Sequence, residues 1–123
     1  MARVVALLPD LLFGSKVQGM LAAAGHEVTV VASPEAALDQ ADRSDLLVVD
    51  LCEDAERRTA VLAAAVANTK TLAFYLHTDV DTRTRALAAG MDLVVPRSRM
   101  AREGGTLVDG LLSAARGVSS NRR

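Results

Sequence analysis

The sequence predicts an α/β fold, with five parallel strands in one sheet and helices on both faces. Three observations predict it. Short runs rich in valine and leucine recur five times along the chain, each with the length of a buried strand. A helix-like segment with capping residues follows each of them. The chain has 123 residues, enough for one real core and too few for two.

The elements follow in order. RVVALL, residues 3–8, is a compact apolar strand ended by Pro9 and Asp10. GSKVQGMLAAAGH is the first helix: Ser15 is its expected N-cap, Val17, Met20, Leu21 and Ala24 share one face, and Gly25 closes it. EVTVVA alternates and is β-branched, which makes it the second strand. Ser33 caps a short helix that Pro34 opens and Ala41 ends. DLLVVDL is the third strand and carries Asp50 at its carboxyl end.

EDAERRTAVLAAAVANTK is a long helix, with Glu53, Asp54 and Glu56 crowded where the helix dipole favours negative charge. TLAFYL is the fourth strand, and DVDTRTRALAAG a helix capped by Gly90. DLVVP is a short fifth strand, RSRMAR a basic loop, and GTLVDGLLSAARG the last helix. The domain is expected over residues 1–117, with 118–123 as a flexible tail and no further domain after it. Right-handed crossovers then give one doubly wound, flavodoxin-like sheet in the order 2-1-3-4-5.

Composition removes several function classes. The net charge of −1 leaves no electrostatic footprint for nucleic acid, and with two Phe, one Tyr and no Trp there is no stacking platform for bases. No apolar run is long enough for a membrane span, and the start of the chain lacks a signal-peptide pattern. Cys52 is the sole cysteine, so no internal disulfide forms, which suits a reducing cytoplasm. It reads first as a small packed residue, since the nearby acids oppose a reactive thiolate. Neither a P-loop nor a G-x-G-x-x-G fingerprint is present.

Ligands of such sheets gather at the carboxyl ends of the strands. The residues expected there are Asp10 after the first strand, Asp50 after the third, His77 and Thr78 after the fourth, and Arg97 after the fifth. The first and third strands are neighbours, so Asp10 and Asp50 are expected to converge. Two close carboxylates repel unless a cation lies between them, and Mg²⁺ favours such oxygen ligands. Each residue also has a plainer role: Asp50 as a helix cap, Asp10 as a charge at a helix N-terminus, His77 as an unengaged loop residue, Arg97 as a solvated cation or a partner of the Asp50 carboxylate.

This pattern resembles the receiver domain of two-component response regulators over residues 3–116. VVALLPD stands where receivers end a strand in an acidic pair, LLVVDL resembles their phosphoacceptor strand with Asp50 as the match, and RALAAGMDLVVPRS resembles the segment leading into their last strand. The resemblance implies a signalling module with Asp50 as the phosphoacceptor equivalent. The chain also departs from it. Pro9 replaces one acid of the pair, Tyr75, Leu76 or His77 falls where receivers have Thr or Ser, and Pro96-Arg97 replaces the usual Lys-Pro. Leu93 or Val94 stands at the aromatic switch position.

The expectation is therefore a pseudo-receiver that binds a protein partner or itself, with weak Mg²⁺ binding through Asp10 and Asp50 at most. The expected contact face is the last two helices: Arg83, Arg85, Leu87, Arg99, Met100, Leu107 and Leu111. Two alternatives stand beside it. One is a phosphorylatable single-domain regulator using Asp50. The other is a small-ligand binder or enzyme at the strand ends, although no nucleophile–base pair is readable.

Overall fold

The computed structural model describes the backbone of residues 2–121 and side chains as far as residue 114. Five β-α units alternate without interruption: β1 (Arg3–Leu7), α1 (Leu11–Ala23), β2 (Glu27–Val31), α2 (Pro34–Ala41), β3 (Leu46–Asp50), α3 (Ala55–Val66), β4 (Lys70–Tyr75), α4 (Val80–Ala88), β5 (Leu93–Pro96) and α5 (Arg97–Asn121). All four strand pairings are parallel, and the sheet order is β2-β1-β3-β4-β5, as the sequence predicts.

Strand periodicity divides the interior into two layers. Val4, Ala6, Leu46, Val48, Leu72 and Phe74 face one side and pack with Phe13, Val17, Leu21, Met100, Val108 and Leu112 from α1 and α5. Val5, Leu7, Leu47, Val49, Ala73 and Tyr75 face the other and pack with Ala37, Leu62, Ala65 and Ala86 from α2, α3 and α4. All five residues of β3 are buried, so it is the central strand and its end lies in the middle of the sheet edge.

Helix ends follow local chemistry. Ser33 Oγ accepts the Ala36 N–H at 3.2 Å, and Pro34 opens α2. Gly25 and Gly90 have φ of +94° and +97°, the left-handed conformation that lets the chain leave α1 and α4 sharply. His26 ties α5 to the sheet: its Nδ1 accepts the Ala2 N–H at 3.3 Å, and its Nε2 lies 2.7 Å from Asp109 Oδ1.

Two boundaries differ from the sequence expectation. The first helix is capped by Asp10 rather than by Ser15 and begins at Leu11: the Asp10 Oδ1 accepts the N–H groups of Leu12 and Phe13, both at 3.0 Å. The last helix begins at Arg97, directly after β5. RSRMAR is thus the first turns of α5 and not a loop, and Gly104 and Gly105 lie inside the helix. They are tolerated because α1 packs against them: a Cβ on Gly104 would stand 2.9 Å from Met20 Sδ. The stretch expected as a tail is helical as far as Asn121, and residues 122 and 123 lie outside the described residues.

Candidate functional site

A cleft of about 510 Å³ opens at the carboxyl edge of the sheet, lined by Pro9, Asp10, Asp50, Cys52, Glu53, Arg58, Leu76 and Arg97. The sheet register explains the convergence. β1 and β4 flank β3, so Asp10 follows the strand on one side of Asp50 and Leu76 the strand on the other.

Asp50 is 6% exposed. Its Oδ1 accepts the Cys52 N–H at 2.8 Å, which turns the chain back over the strand end. Its main-chain carbonyl accepts a 2.8 Å hydrogen bond from Arg58 Nη1. Between them Asp54 adopts φ +50°, a left-handed kink that Asp tolerates better than most residues. Asp10 has its Oδ1 committed to the α1 cap, and its Oδ2 lies 3.9 Å from Arg97 Nη2. Arg97 also lies over the Phe13 ring, 4.0 Å from its centroid, a cation–π contact that holds the guanidinium beside the cleft.

Cys52 reports the local electrostatics. Burial, then the charge of Asp50 and the hydrogen bond to it, push the thiol up from 9.0 to about 12, against smaller downward pulls from Arg97 and Arg58. The structure therefore places Cys52 as a half-buried, protonated side chain in this cleft.

The expected site residues divide into three groups. Asp10, Asp50 and Arg97 share the cleft. His77 lies in a shallower adjoining hollow of about 210 Å³ with Phe13, Leu76, Arg97, Ser98 and Ala101. Thr78 is exposed and lines neither, because the chain turns at this point into the Asp79 cap of α4. Asp79 is held below the usual carboxylate range by hydrogen bonds from Thr82, first its hydroxyl and then its N–H. Among the described residues, no three His, Cys, Asp or Glu side chains are gathered to hold a metal ion.

On the expected contact face, Arg83, Arg85, Leu87 and Arg99 are exposed. Met100 and Leu107 are not. They are 0% and 8% exposed and belong to the core beneath α5, since the helix starts early enough to turn both inward. Leu111 is half-buried against the same core.

The residue that sequence reading missed is Arg58. A trace of it was visible: Arg58, Leu62 and Ala65 share one stripe of α3, and the stripe is buried, so a charged residue stood on an apolar face.

No family model and no curated protein matches the sequence. Among solved structures the fold matches a CheY-like response regulator receiver domain from Methanospirillum hungatei JF-1, with TM-score 0.80 and 17% identity over 93% of this chain and 95% of that one. It also matches the receiver domain of a sensor histidine kinase from Pseudomonas aeruginosa PAO1, which has a magnesium ion coordinated in its active site cleft. The TM-score there is 0.76, at 19% identity over 91% of this chain and 98% of that one. NtrX from Brucella abortus matches with TM-score 0.81 and 18% identity over 98% of this chain, which spans 29% of that longer one. The chain thus has the fold of response regulator receiver domains.

Proposed function

We propose that this protein is a receiver-fold interaction module that works without metal-dependent phosphoryl transfer at Asp50. The observation that carries the reading is the state of Asp10. It is the one acid that follows β1, and its Oδ1 is spent on two main-chain N–H groups of α1. Its neighbour Pro9 offers no side-chain oxygen. Mg²⁺ demands near-octahedral oxygen ligation, and the donors here argue against a tight site: Asp50 adds an Oδ1 that already accepts the Cys52 N–H. The cations in the cleft are instead side chains of the protein, Arg58 and Arg97.

Output through a protein surface is the natural complement. Exposed Leu87 on α4 lies one turn from exposed Arg83, an apolar point beside a cation that suits a protein partner or a second copy of the chain. We assign the module to the cytoplasm, where an unpaired Cys52 stays reduced. Among the described residues no helix is long and apolar enough to cross a membrane.

A second reading, a phosphorylatable domain, draws on Asp50 itself: its carboxylate lies at the end of the central strand and lines an open cleft. The two readings separate in a titration of isotope-labelled protein with Mg²⁺ and then beryllofluoride, followed by amide NMR. The interaction-module reading expects no saturable shift at Asp50 or Cys52 at millimolar Mg²⁺. Saturation there, followed by a beryllofluoride-bound state, would favour the second.

A further inference from the structure

A glycine pair stands inside α5, where propensity disfavours it, and a thioether fills the space it leaves. Met20, near the end of α1, turns its sulfur onto Gly104 and Gly105. A Cβ on Gly104 would stand 2.9 Å from Met20 Sδ and 3.2 Å from Met100 Cε, and the Gly105 N–H donates toward Met20 Sδ at 3.3 Å. The two missing side chains are thus a notch in α5 that seats Met20.

The notch lies between two other ties of α5. Ahead of it along the helix, Arg97 rests on the ring of Phe13 of α1. Beyond it, Asp109 meets His26, in the turn after α1, at 2.7 Å. Whatever unseats Met20 therefore acts between the contact that holds Arg97 beside the cleft and the contact that ties α5 to the sheet.

Access singles out the same residue. Met20 is half-buried, whereas Met91 and Met100 are 3% and 0% exposed. Met1 lies outside the described residues. The other oxidisable sulfur, that of Cys52, is a poor competitor: peroxides attack thiolates, and burial and Asp50 keep this thiol protonated.

We propose that Met20 is a site of reversible oxidation by hydroperoxides, seated so that its sulfoxide loosens α5 from α1. The sulfur lone pair attacks one oxygen of hydrogen peroxide, an S–O bond forms and the O–O bond breaks. Sulfur gives up two electrons, and the second oxygen leaves as water with both protons. The product is polar and chiral where the thioether was apolar. The sulfur already fills the notch, which leaves no room for an added oxygen on the glycine side. The flexible side chain swings out to hydrate the oxygen, and glycine backbone is left uncovered inside the helix. This inference goes beyond the interaction-module reading and does not rest on it, since neither Asp50 nor the chemistry of the cleft takes part.

The test exposes the full chain to hydrogen peroxide at pH 7. Peptide mass mapping follows each methionine, and amide hydrogen exchange is measured on the oxidised product. Met20 should gain one oxygen about tenfold faster than Met91 and Met100, which react only on local opening. Amides of α5 between residues 100 and 112 should then exchange about tenfold faster than in the untreated protein. Methionine sulfoxide reductases for both epimers, with dithiothreitol, should restore the original rates. Met20→Leu, which keeps an apolar side chain in the notch, should hold its exchange rates under the same treatment. Should Met20→Leu not fold, the mapping rates and the reductase reversal still decide. Met20 oxidised no faster than the buried methionines, unchanged α5 exchange after oxidation, a loss that the reductases do not reverse, or an equal loss in Met20→Leu would each overturn the proposal.

Discussion

At the residue scale, the cleft depends on how few side chains are free to do chemistry. The Cys52 thiol, pushed up to about 12 by burial and by Asp50, stays protonated through the physiological range. A thiol reacts as its thiolate, so labelling by iodoacetamide at pH 8 is expected to be much slower than for free cysteine and to accelerate on unfolding; equal rates would contradict the assignment. The linkage has a definite sign. The folded pKa lies above the ordinary 9.0, so the folded state holds this proton more tightly. The stabilisation is complete below pH 9 and is lost as pH rises from there toward 12. Wild type should therefore lose more stability than Cys52→Ser across that window, as read by urea midpoints. Arg58 has a mainly structural task in the folded chain, since its Nη1 satisfies the main-chain carbonyl of Asp50. Arg58→Ala is expected to destabilise the fold by about 2 kcal/mol, the cost of a lost hydrogen bond to a charged donor and an orphaned carbonyl. A change within a few tenths would mean that the contact is not made in solution.

At the element scale, α1 and α5 decide where the site and the surface lie. Asp10 caps α1 five residues ahead of Ser15, and that early start is what spends the acid as a cap. Pro96 ends β5 and Arg97 begins α5 at once, which turns Met100 into the core and brings the Arg97 guanidinium onto Phe13. Neither start was legible. Ser15 and Asp10 are both cap-forming residue types, and residue type does not choose between them; Asp10 caps because its Oδ1 reaches the Leu12 and Phe13 N–H groups. The glycine pair inside α5 reads as a helix start, because propensity disfavours glycine in a helix interior. Its packing role gives a paired prediction. Gly110 is an exposed α5 residue with nothing within 4 Å of an added Cβ, so Gly110→Ala should stabilise by about 0.5–1 kcal/mol. Gly104→Ala would meet Met20 Sδ at 2.9 Å, which the flexible methionine must move to relieve, and should fall short of that gain by about 0.5 kcal/mol. If both variants melt alike, the tight seam between α1 and α5 is wrong.

At the scale of the whole molecule, the topology was readable and the chemistry of the cleft only half so. Five apolar runs alternating with helices leave little choice but a parallel sheet with right-handed crossovers, and the order 2-1-3-4-5 follows the sequence expectation. Asp10, Asp50 and Arg97 were found because strand ends are named by the strands. Arg58 was not, because it enters from the middle of a helix, where only its place on a buried stripe marks it. The fold is that of receiver domains, and the central claim is that this cleft holds fixed arginines where metal-dependent phosphoryl transfer would need a cation site. The most direct measurement is the intact mass of the protein after incubation with acetyl phosphate and millimolar Mg²⁺, run beside Asp50→Asn. The account predicts no phosphoryl increment in either protein. A stoichiometric increment in the wild type that Asp50→Asn abolishes would contradict it.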